Sequence, residues 1–211
     1  MQQLTDDTFL PKQRLETLCD GIFAITMTLI ILDLKTPENL PSKVPAEELP
    51  KILYDLLPSL EAYAISFIIL GIFWLRHQIG FRFVSSVNRP LIFVNILFLL
   101  FIGFVPFTVG IMMRYPALAL SFRLYIINLI LISLLLTFQW IFISRSDNVA
   151  AVEIPKALKK NFLILSFVPI LIFGMCFIAS YFNLRFAFLM IYLDPLFYAI
   201  YRRVLKRKKI M

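Results

Sequence analysis

Histidine is almost missing from this chain. His77 stands alone among 211 residues, and the two cysteines, Cys19 and Cys176, both lie in or beside apolar runs. Two such cysteines make no disulfide framework, and no His, Cys, Asp or Glu falls at metal-ligand spacing, so zinc chemistry and histidine relays lack their usual materials. Charge is scarce as well, at 16% of residues, and lopsided: 21 Lys and Arg against 13 Asp and Glu. The net charge of +8 does not call for nucleic acid. The basic residues sit in short loops and near the C-terminal end, as on the cytoplasmic side of a membrane protein. A cleavable signal peptide is not expected, because Asp6 and Asp7 precede the first apolar run and no small-residue cleavage site follows it. Also missing are a TVGYG-like carbonyl filter and any internal repeat of the inverted kind many carriers carry.

What is present is apolar length. The chain is 60% hydrophobic with a mean hydropathy of +0.85, outside the range of soluble domains. It reads as an all-α membrane protein of one domain, residues 1–211, with six spans at 18–34, 60–75, 91–113, 117–143, 162–182 and 186–201. Between the first two lies a loop rich in proline and acid (Pro37, Pro41, Pro45, Glu47, Glu48), then a short interfacial helix over Pro50–Leu57. Pro106 predicts a kink in the outer half of the third span. Counted on alternate sides of the six spans, 15 of the 21 Lys and Arg fall on one face and six on the other. That bias puts both termini in the cytoplasm.

The stretch Arg14 to Asp33 organises the rest. Charges at the start of a spanning helix are costly in lipid and invite a functional reading. Beyond them Ile25, Thr28, Leu29 and Leu32, at i, i+3, i+4 and i+7, share one stripe, which faces lipid, a neighbouring helix or a pore. Asp20 lies about 140° off that stripe at about 100° per residue, so it points toward another helix. It serves there as an N-terminal cap, an edge ion pair, a gate support or an ion-attracting site. Arg14 falls near the stripe, where it is either tied to a carboxylate such as Glu16 or Asp20 or repels cations. Trp74 and His77 close the second span one turn apart. They form either an interfacial belt with a solvated histidine or a pair of hydrogen-bond partners for Asp20. Asn95 and Asn128 are placed to bridge helices. Asp194 falls mid-way in the sixth span, where a lone charge requires protonation or a partner. Thr28 either coordinates or orients water, or bonds back to a carbonyl one turn earlier.

At this point the residues resemble a family, the transmembrane-protein-175 potassium channels in their short prokaryotic form. That family's R-x-x-x-F-S-D motif is matched by Arg14-Leu15-Glu16-Thr17-Leu18-Cys19-Asp20, with Leu18 and Cys19 replacing Phe and Ser. FWLRH at the end of the second span is similar to its W-x-x-H, and VNILFLLFIGFVPF to its N-x-L-x-L-L-F…P pattern. The resemblance covers the first three spans; the last three agree in hydropathy.

What the resemblance implies is a homotetramer of six-helix subunits in the plasma membrane, each first helix lining a central pore that conducts potassium over sodium without a carbonyl filter. It implies a hydrophobic constriction at Ile25, followed outward by Leu29 and Leu32, and a selectivity-linked layer at Thr28. Arg14, Asp20, Trp74, His77 and Asn95 would form the polar network holding the pore helix. The expected partners are potassium ions, further copies of the chain and membrane lipid, with no nucleic acid and no cofactor. The main competing reading is a proton-coupled secondary transporter using Asp20 or Asp194. A membrane-embedded enzyme is disfavoured by the single histidine and the absence of a nucleophile–base pairing.

Overall fold

A computed structural model of the chain describes residues 11–34, 47–146, 149 and 154–207. Asp6, Asp7, the loop prolines Pro37, Pro41 and Pro45, the last residues of the basic tail (208–211) and the side chain of Asp33 lie outside the described part. Within it the apolar runs coil into eight helices. These are α1 (Lys12–Leu29, continued by a 3-10 turn, Ile30–Asp33), α2 (Leu49–Phe81), α3 (Arg89–Gly103), α4 (Val105–Arg114), α5 (Ala119–Arg145), α6 (Lys156–Ala179), α7 (Leu184–Met190) and α8 (Leu193–Arg207). Taken with the short helices joined end to end, six segments are long and apolar enough to cross a membrane. In lipid only helices or closed barrels satisfy their own backbone, and this chain uses helices throughout its apolar length.

Three details depart from the sequence expectation. No separate interfacial helix forms over Pro50–Leu57; α2 runs unbroken through Pro58 for 33 residues. That is about 50 Å of helix against about 30 Å of hydrocarbon, so α2 projects beyond the bilayer. The break in the third span falls at Phe104, two residues ahead of Pro106. Proline has no N–H to give the carbonyl one turn earlier and its ring crowds that turn, so the disruption is felt upstream. The Asn128 amide donates to the Phe101 carbonyl at 3.1 Å in the last turn before this break. The sixth span is also two helices, parted at Ile191–Tyr192, which puts Asp194 in the first turn of α8 instead of mid-helix.

α5 and α6 make the most extensive pairing, α3 and α4 lie along α5, and α1 packs on α3 and α2. The core between them is aromatic, with Phe23, Phe73, Phe98, Tyr125 and Phe173 fully buried. α1 contributes one narrow face to it: Leu15, Cys19, Phe23, Thr26 and Ile30 are buried at spacings of three and four, one side of a helix.

Candidate functional site

Because α1 buries only that face, the opposite one is left uncovered by its own chain. Ile25 is 60% exposed, Leu29 42% and Leu32 71%, and Thr28 is exposed between them. The Thr28 hydroxyl donates back to the Ala24 carbonyl at 3.0 Å and the Ile25 carbonyl at 2.8 Å. Its only proton is therefore spent on the backbone, and what it can offer outward is oxygen lone pairs, the ligand type a hard cation takes. The two sequence readings of Thr28 are thus compatible.

The flank of α1 toward α2 and α3 is polar. Asp20 accepts from Trp74 Nε1 at 2.8 Å and from the Gln78 side-chain amide. Its neighbour Cys19, fully buried, belongs to a different cluster. Asn95 on α3 donates from Nδ2 to Cys19 Sγ at 3.2 Å, while its Oδ1 lies 2.8 Å from His77 Nε2 and accepts from Gln139 Nε2 at 3.3 Å. His77 is held face to face between Phe81 and Phe98, with centroids 4.2 and 5.3 Å away. Of the five residues expected to form one network, four are therefore brought together in two adjoining groups.

Two expectations need correction. His77 does not reach Asp20. Residues i and i+3 diverge by about 60° around a helix while i and i+4 diverge by about 40°, so Trp74 and Gln78 face α1 and His77 turns to α3. Arg14 joins neither group. It is exposed on α1, away from Asp20, and among the described residues no carboxylate holds it; Glu16 pairs with Lys12 at 3.5 Å instead.

A profile of the family described as endosomal/lysosomal potassium channel TMEM175 matches residues 14–106. A potassium channel of Streptomyces collinus is 33% identical over 143 residues, covering 64% of this chain and 66% of that protein, just under two thirds of its length. A potassium channel of Chamaesiphon minutus is 28% identical over 191 residues, covering 82% of this chain and 93% of that protein. Over residues 14–106 the chain is similar to the TMEM175 family. The fold agrees: the crystal structure of a lysosomal potassium-selective TMEM175 homolog from Chamaesiphon minutus superposes with a TM-score of 0.78 at 21% identity, over 90% of this chain and 96% of that one.

The family match takes in α1 to α3 and ends at Pro106, so it includes both polar groups except Gln139. One buried pair joins a residue inside this match to one outside it. Arg76 Nη2 donates to Asp194 Oδ1 at 2.9 Å, with the two side chains 2% and 0% exposed. Arg76 looks like a cytoplasmic-edge residue in the sequence, counted among the positive-inside charges. It is instead the buried partner Asp194 needs, and the N-terminus of α8 adds its own dipole to that carboxylate. Gln78 and Gln139 were also missed, because glutamine inside an apolar run carries no pattern of its own.

Proposed function

We propose that this protein is a passive, potassium-selective cation channel of the plasma membrane, working as a homotetramer with α1 of each subunit around a central pore. One observation carries the reading: α1 is anchored on one face and leaves Ile25, Thr28, Leu29 and Leu32 uncovered on the other. The relatives named as potassium channels give that free face its occupant.

On this reading Ile25 forms the narrowest ring, closed to ions by dewetting because its side chain offers nothing to replace a hydration shell. Thr28 supplies the oxygen layer that sorts partly hydrated potassium from sodium, and Leu29 and Leu32 continue the wall outward. Asp20, held by Trp74 and Gln78, and the Cys19–Asn95–His77 cluster fix the rotation of α1, which decides which residues meet the ion. Arg14 enters this scheme across a subunit boundary, where a neighbouring chain can bring the carboxylate that the described residues of its own chain do not. Both termini are cytoplasmic, following the bias of Lys and Arg. The assembly performs no covalent chemistry.

A proton-coupled carrier working at Asp194 is disfavoured, since that carboxylate is fully buried and tied to Arg76. The deciding experiment is purified protein in a planar bilayer with asymmetric potassium and sodium. Single-channel steps reversing near the potassium equilibrium potential are expected. A saturating flux that requires a proton gradient would overturn the channel and favour the carrier at Asp20.

A further inference from the structure

Between α2, α5 and α6 lies a small buried cavity walled by Arg76, His77, Gln139 and Ser166 together with Phe81, Trp140 and other apolar side chains, with about 10 Å³ open to the centre of a water molecule. That is the space of a single water. Three of its wall residues, Arg76, His77 and Gln139, are 3%, 1% and 2% exposed. Each carries polar atoms with no protein partner among the described residues: Arg76 Nε and Nη1, His77 Nδ1 and Gln139 Oε1. Buried polar groups left unpaired are costly, so the gathering of three residues that carry them around one small space needs an explanation.

The donor and acceptor roles fit one ligand. Asn95 donates from Nδ2 to Cys19, so its Oδ1 faces His77 Nε2 as an acceptor and fixes the ring proton on Nε2. In the neutral ring Nδ1 is then an acceptor. Gln139 spends its amide on the same Asn95 oxygen, which leaves Oε1 as a second acceptor. Arg76 keeps two donor nitrogens, Nε and Nη1, without a partner after pairing with Asp194, and the rings of Phe73 and Tyr198 beside it, 5.8 and 5.3 Å from its guanidinium carbon, do not replace hydrogen bonds. Two acceptors and a donor group around one space are what a water molecule satisfies, accepting from Arg76 and donating to His77 and Gln139. An anion would meet two lone pairs, and its charge is not called for, because Asp194 already neutralises Arg76. A metal cation would meet the guanidinium.

We propose that this cavity is a water site, and that its water joins the Arg76–Asp194 pair to the His77–Asn95–Cys19 cluster. The hydrogen bonds then run without a gap from α8, through α2 and α3, to the buried face of α1. The inference stands on the geometry of the subunit and does not depend on what α1 conducts.

A structure of the protein at a resolution that shows waters tests the site. Density in the cavity within hydrogen-bond distance of Arg76 and of both His77 Nδ1 and Gln139 Oε1 is expected. An empty cavity, or a peak that gives a bromide anomalous signal after halide exchange, overturns it. The linkage is read separately by melting temperature. Gln139→Leu removes one water partner together with the bond to Asn95, at similar volume, and lowers the melting temperature of the wild type. In the Arg76→Met/Asp194→Leu background that shift shrinks markedly if the water couples the two groups, and an unchanged shift overturns the coupling. Should a variant not fold, the density measurement on the unaltered protein still decides the site.

Discussion

Cys19 and Asp20 are adjacent, yet one is sealed in the core with Asn95 and the other accepts from Trp74 and Gln78 at the surface of the subunit. Together they hold α1 from two directions, and the residues about a half-turn away are left free. Trp74→Phe keeps an aromatic ring, though a smaller one, and removes the indole donor, so it should cost at least about 1 kcal/mol of stability, the ordinary worth of one hydrogen bond at a partly solvated site. Thermal unfolding in detergent measures it. The free face behaves differently. Ile25→Asn places an amide where the pore reading needs a dry ring, and leak current in bilayers is expected to rise; unchanged conductance would remove Ile25 from the constriction. Thr28→Ser keeps the oxygen and Thr28→Ala deletes it, so the potassium-to-sodium permeability ratio should survive the first and fall with the second. At this scale the sequence conveyed membrane depth but not rotation. Trp74 and His77 sit at one level with Asp20, and only the turn of α2 decides that Trp74 reaches it and His77 does not.

Among elements, α8 is held by a buried charge as well as by its apolar residues Tyr198 and Leu205, which pack on Ile72 and Leu165. Arg76 and Asp194 lie 118 residues apart in sequence and meet where α2 crosses the start of α8. Arg76→Met leaves Asp194 as an uncompensated buried carboxylate and should destabilise the protein by about 3–5 kcal/mol, whereas adding Asp194→Leu should recover most of that loss. A double variant as unstable as the single one would show that the pair is not what positions α8. The six spans were legible because uninterrupted apolar length is the strongest signal a chain carries. The break at Ile191–Tyr192 was not, since both sides of it are equally apolar and proline follows only at Pro195. The continuity of α2 through Pro58 was hidden for the opposite reason, a helix breaker tolerated inside a helix.

For the whole molecule, the reading that α1 faces a symmetry axis has a direct test. Cys19 and Cys176 are both buried and free, so a thiol introduced by Leu32→Cys is the accessible one. Oxidation in membranes should then yield disulfide-linked dimers, since neighbouring copies of one stripe approach each other around an axis. Monomers alone, at Leu32 and likewise at Leu29→Cys, would turn the stripe toward lipid. The uncovered face of α1 has one more consequence, in the life of the newly made subunit. Leucine and isoleucine are as much at home among acyl chains as along a dry pore, so a single copy inserted in the bilayer has no sticky surface to hide. It can diffuse folded and unassembled until partners arrive. Ile25, Thr28, Leu29 and Leu32 take no part in that folding, so on the pore reading they are free to change with the ion while the subunit itself stays the same.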